Sequence, residues 1–180
     1  FAQYTNEIAP GIILTIEDDG YTIHYEPQDE FYLAQDTIEN DNSTDSVFSY
    51  IENIIIDYDL LEEGGYPELP YLSYAFQLPD DADNIIVSYK INETEKYVLP
   101  YKYIPCQFLL EEDTICDLQY DTTYYFSDGS EFYDNFYTLS NIYHFLGTTG
   151  INLNFYPFTY NPKENYLNMV TSADIHIKFD

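Results

Sequence analysis

Apolar and polar positions along the chain alternate in short runs, and the 3.6-residue spacing of an amphipathic helix is nearly absent. Ile12 to Ile16 and Tyr21 to Tyr25 read as two strands. Asp18-Asp19-Gly20 between them predicts a hairpin, because Gly takes positive φ at no steric cost. Phe31 to Ala34 predicts a third short strand, and Thr37 to Ser46, rich in Asn, Asp, Ser and Thr, a loop. Val47 to Tyr58 alternates and then passes through Ile54-Ile55-Ile56, a run suited to a strand buried on both faces. Leu60 to Pro70 holds two Gly and two Pro and is expected to be irregular. From Leu72 to Leu78, Leu, Tyr, Phe and Leu share one side and Ser73, Ala75 and Gln77 the other.

Pro79 and Asp80-Asp81-Ala82-Asp83 make a turn, followed by strands at Ile85–Ile91 and Tyr97–Ile104. Pro100 places the second of these at an edge or a bulge. The pattern weakens from Pro105 to Ser130, which predicts a long loop, and loops of this length in a compact domain are functional or disordered. Phe132 to Phe145 is aromatic-rich and reads as strand or short helix; Gly147 to Gly150 reads as a turn. Ile151 to Thr159 alternates, Tyr160 to Asn165 is a turn, and strands follow at Tyr166–Val170 and Ile175–Phe179. Roughly ten short strands at such spacings predict a single all-β domain over residues 1–180, an antiparallel β-sandwich, jelly-roll-like, with one long loop.

Composition supports a packed core. The 180 residues include 22 Tyr and 12 Phe and are 45% hydrophobic, too apolar for a disordered acidic tail. Charge removes several partners. Five Lys, no Arg and 33 Asp plus Glu leave a net charge of −28, so the chain cannot neutralise nucleic-acid phosphates or dock on an anionic membrane. No apolar run approaches the ~18 residues that cross a bilayer, and nothing at Phe1 reads as a signal peptide. Seven Gly and no glycine-rich loop argue against nucleotides. Strong acidity suits an extracellular or high-salt setting, where self-repulsion is screened. The sequons at Asn42 and Asn92 are of a kind that polar acidic chains produce by chance.

Reactive chemistry is sparse. Cys106 and Cys116 with His24, His144 and His176 are the residues from which a Cys–His pair would be drawn. His24 and His176 sit in predicted strands, and Cys106 follows Pro105 without a small-residue turn to expose a nucleophile, so structural histidines and no catalytic pair are expected. No C-x-x-C or H-x-x-x-H pair marks zinc. Asp41, Asn42, Ser43 and Asp45, and again Asp80, Asp81, Asp83 and Asn84, offer hard oxygen ligands for calcium. Neither group follows the EF-hand pattern, and solvated turns are favoured; no metal and no cofactor is expected. Paired carboxylates for glycoside hydrolysis have no sequence signature. Tyr124-Tyr125 is a candidate sugar-facing pair. The two cysteines make either one bridge or two free thiols.

A series of short motifs changes the picture. Gly65-Tyr66-Pro67-Glu68-Leu69-Pro70 precedes a strand, Leu78-Pro79 and an acidic turn precede Ile85–Ile91, and Tyr103-Ile104-Pro105-Cys106-Gln107 follows. Later, Phe155-Tyr156-Pro157-Phe158-Thr159-Tyr160-Asn161-Pro162 leads through Leu167 into the closing strands. In this order, over residues 47–180, the chain resembles the N-terminal propeptide of gingipain-type cysteine peptidases, secreted caspase-like enzymes. The resemblance implies a sandwich of two antiparallel sheets that is not itself an enzyme. It also implies a partner, the peptidase catalytic domain of the same precursor, which the prodomain helps to fold and holds inactive with a loop across the active-site cleft.

By position that loop falls after Gln107 and before Tyr133. The best-known members cleave after Arg or Lys, for which a basic loop residue would fit. Here Phe108 to Asp180 holds only Lys163 and Lys178, both outside the loop. Glu111, Glu112, Asp113 and Asp117 are the candidates for a pocket that prefers acids, Leu109 and Leu110 for an apolar one. A Cys106–Cys116 bridge would pin the loop, an effect of roughly 3 kcal/mol on the unfolded chain. The rival expectations are a structural module of an extracellular surface assembly or adhesin, built by strand addition at sheet edges, and a carbohydrate- or calcium-binding module.

Overall fold

The computed structural model describes residues 4–28, 31–38, 46–52, 58–82, 84–107, 121–126 and 135–179. The alternating segment at the N-terminal end folds as a three-stranded meander, β1 (Tyr4–Ala9), β2 (Ile12–Glu17) and β3 (Gly20–Tyr25). The β2–β3 turn is Asp18-Asp19, with Glu17 facing Gly20 across the ladder. Gly20 is thus needed for space rather than for positive φ: a Cβ there would lie 2.0 Å from the Ile177 carbonyl oxygen. β1 was not foreseen, because its exposed side chains carry no burial pattern.

β4 (Tyr32–Ile38) and β5 (Ser46–Glu52) pair antiparallel, so the expected loop yields both its ends to strands; residues 39–45 and Ile54-Ile55-Ile56 lie outside the described residues. The short β6 (Asp59–Leu60) pairs with β7 (Pro70–Leu78). β8 runs unbroken for 14 residues, Ile85–Val98, where the sequence predicted two strands. It stops before Pro100, and Tyr103 and Pro105 contribute only isolated bridges, so of the strand expected over Tyr97–Ile104 only Tyr97 and Val98 are strand, as the end of β8. Proline has no amide to continue the ladder.

The expected long loop contains a turn of helix, α1 (Thr122–Tyr125). The aromatic stretch after it holds two strands, β9 (Tyr137–Leu139) and β10 (Tyr143–Phe145). A turn at Leu146-Gly147 leads to β11 (Thr148–Phe155), which starts inside the segment read as a turn. Tyr156-Pro157 separates β11 from β12 (Phe158–Asn161). The two closing strands of the sequence are one, β13 (Tyr166–Phe179), with a bulge around Thr171 that interrupts the alternation.

β13 is the spine of a six-stranded sheet ordered β1-β2-β3-β13-β12. Its other side pairs with β8 along nearly its whole length. The second sheet is ordered β10-β11-β7-β6, with β9 also on β11. Every pairing between these strands is antiparallel. Ile12, Ile23, Ile175 and Ile177 of the first sheet meet Leu72, Phe76, Ile151 and Leu153 of the second in the main core. Tyr25 packs edge-on against Phe155 across the layers, with ring centroids 5.1 Å apart. A second core of Tyr103, Tyr124, Tyr125, Tyr160, Leu69 and Leu167 lies beyond one end of this contact. The antiparallel sandwich expected from the sequence is therefore present, with isoleucine and leucine dominating the core between its sheets and tyrosine concentrated in the second core.

Candidate functional site

Leu109, Leu110, Glu111, Glu112, Asp113, Cys116 and Asp117 all lie outside the described residues. The two ends of the segment that carries them are described, and they are held together. Gly65 donates its amide to the Cys106 carbonyl (2.8 Å) and accepts from the Asp121 amide at its own carbonyl (2.8 Å). Cys106 N donates to Tyr66 O (2.7 Å), Glu68 N donates to Ile104 O (3.1 Å), and Pro67 bridges Pro105. The Gly-x-Pro-x-Leu-Pro motif is thus a clasp that grips both the entry and the exit of residues 107–121. Its glycine has φ +83°, in the left-handed region that other residues adopt at a cost.

The exit is tied further. Asp121 caps α1 by accepting from the Tyr124 amide (2.7 Å). It also bonds the Tyr66 hydroxyl, whose pKa it raises, with burial adding to the shift. The Tyr124 hydroxyl donates to Tyr160 O (2.7 Å) and the Tyr125 hydroxyl to Tyr103 O (3.0 Å). Burial pushes the Tyr103, Tyr125 and Tyr160 phenols far up, so they stay neutral donors. Lys102 donates to the carbonyls of Tyr125 (3.3 Å) and Pro162, and burial lowers its pKa. Tyr124 and Tyr125 are therefore core residues, which corrects their candidacy as a sugar-facing pair: their rings are spent on anchoring α1.

The remaining candidates do not converge. Cys106 is a buried thiol whose pKa is raised by burial and by Glu68 and Glu62, the direction opposite to an activated nucleophile. The histidines sit in strands and bond their neighbours: His24 with Asp174 (2.7 Å), His176 with Thr22 (3.0 Å), and His144 with Thr149 (3.0 Å). Asp80 accepts from the Thr149 hydroxyl (3.3 Å), and Ala82 N closes its turn on Pro79 O. Asp83, with Asp41, Asn42, Ser43 and Asp45, falls outside the described residues. No three His, Cys, Asp or Glu among the described residues are grouped to hold a metal ion. The clasp and α1 were not foreseen. Asp121 ahead of Thr122 is an N-cap residue type and was the available signal, but one turn of helix has no periodicity to read.

The family model described as Propeptide_C25 matches residues 13–180, and the chain belongs to that family of propeptides. Among solved structures, the complex of Porphyromonas gingivalis RgpB pro- and mature domains is similar at 18% identity and a TM-score of 0.73, covering 95% of this chain and 86% of that one. A structure addressing the zymogenic latency of gingipain K from Porphyromonas gingivalis is similar at 16% identity and a TM-score of 0.73, covering 99% of this chain and 98% of that one. These two similarities establish a shared fold. No curated protein matches the chain.

Proposed function

We propose that this propeptide is a secreted, non-catalytic prodomain that assists the folding of a gingipain-type cysteine peptidase from the same precursor and inhibits it by laying residues 108–120 over its active-site cleft. The observation that carries this reading is the Gly65 clasp. Binding through a loop costs ordering entropy, and fixing both ends of the segment to the sandwich reduces that cost. A bridge between Cys106 and Cys116 would shorten the free span further. Within the segment, Leu109 and Leu110 would enter an apolar specificity pocket, and Glu111, Glu112, Asp113 or Asp117 a basic one. The raised Cys106 thiol and the dispersed histidines support a role in shape and surface rather than in bond-making.

The test is inhibition of the separately produced peptidase domain. Replacing residues 109–117 with Gly and Ser, stems intact, should weaken inhibition by about tenfold or more while leaving thermal unfolding unchanged. Equal inhibition by both chains would refute the role of the segment. Leu109→Ala with Leu110→Ala, measured against Glu111→Gln with Glu112→Gln, assigns the pocket type.

A further inference from the structure

The 28 residues from Asn135 to Pro162 contain no Asp, Glu, Lys or Arg, in a chain that is 21% charged. This uncharged run includes β9 and β10, which both pair with β11 and together make one interrupted edge of the second sheet. Exposed edges are normally guarded by charge. The β8 edge carries Lys90, Glu93, Glu95 and Lys96, and β1 carries Glu7. The β9–β10 edge carries none.

The hairpin that ends this edge is well built at its root and apolar at its tip. Tyr143 lies over Gly150, where a Cβ would come within 2.8 Å of its ring. Beyond it Leu146 (φ 50°) and Gly147 (φ 80°) form a two-residue turn with both residues in the left-handed region. Such turns favour Asn at the first position, and leucine there is strained. Leu146 is 90% exposed and Phe145 is 68% exposed. Among the described residues, an unfavourable conformation that holds two large apolar side chains in water gains no packing in return.

We propose that the β10–β11 hairpin is a second docking element that seats Phe145 and Leu146 in an apolar recess of the peptidase domain, separate from residues 108–120. This rests on the prodomain reading above. Charge selects the occupant. A second copy would bring its own −28 and be repelled, whereas a recess on the peptidase meets the strip at its uncharged face without burying carboxylates. The strip is also continuous in sequence with the loop anchor, since Tyr160 near its end holds Tyr124 at the exit of the presented segment.

The experiment uses the full chain with Leu146→Asn, Phe145→Thr and both together, read by calorimetric binding to the isolated peptidase domain and by thermal unfolding. Asn tolerates the turn conformation better than Leu, so Leu146→Asn should keep or raise the unfolding temperature while weakening binding. The double variant should bind about tenfold more weakly or worse. Binding within about twofold of the parent chain overturns the proposal while leaving the prodomain reading intact. Failure of the parent chain itself to bind overturns both. A dimer in sedimentation that the double variant abolishes gives the strip to a second copy and also overturns it.

Discussion

His24 and Asp174 sit opposite each other on β3 and β13, where Nδ1 donates to Oδ1 at 2.7 Å. Glu26 faces the other ring nitrogen (3.2 Å), Asn92 donates to the second Asp174 oxygen (2.8 Å), and Lys90 stands across from Asp174 on β8. Asp174 is the main cause of a His24 pKa above its ordinary 6.5; His24, then Asn92, holds Asp174 below its ordinary 3.8. The raised histidine stabilises the fold fully below 6.5 and loses that contribution as pH rises through its folded value. The depressed aspartate contributes above 3.8 and loses it as pH falls through its folded value. The pair is strongest between the two. Both side chains are about a third exposed, so its worth is small, below about 1 kcal/mol. A proton NMR titration should place the His24 midpoint above 6.5, and Asp174→Asn should bring it down. A midpoint that ignores this substitution would show that Asp174 does not hold the ring.

At the scale of elements, the clasp makes a sharper prediction. Gly65→Ala puts a Cβ on a residue at φ +83° and should cost about 1–2 kcal/mol of unfolding free energy, measured in urea. If the clasp presents the segment, inhibition should fall by more than that stability loss accounts for; a loss of stability alone would make Gly65 a turn residue and nothing more. The sequence disclosed the elements that bury one face. Leu72, Phe76 and Leu78 alternate with polar neighbours, and they form the β7 side of the core as read. It hid β1 and the middle of β8, Asn92 to Lys96, because an exposed edge needs only a partner's backbone and imposes no pattern on its own side chains. The bulge near Thr171 split β13 in the reading for a related reason: one extra residue reverses the alternation while the ladder continues. At the site, the motif from Gly65 to Pro70 was legible as a signature, but its bonds to Cys106 and Asp121 join positions distant in sequence and could not be read from it.

For the whole molecule the dominant quantity is the net charge of −28. Such a field steers the chain toward a basic surface and is screened beyond about 10 Å at 0.1 M salt. Association with the peptidase domain should therefore slow as ionic strength rises, with the dissociation rate changing less; stopped-flow mixing across a salt series measures both, and an association rate indifferent to salt would mean that the acidic surface serves solubility alone. The uncharged strip and the segment held by the clasp would then carry the contact by shape. The same molecule sets an order of assembly. β13 is the last strand of the chain in sequence and the one that touches β3, β8 and β12. A ribosome delivering residues from the N-terminus must expose the edges of β3 and β8 until Tyr166 to Phe179 emerge. The β1–β3 meander can pair early, but its sheet cannot join β8 before that last strand arrives, and until then acidity helps to keep the nascent chain apart from its neighbours.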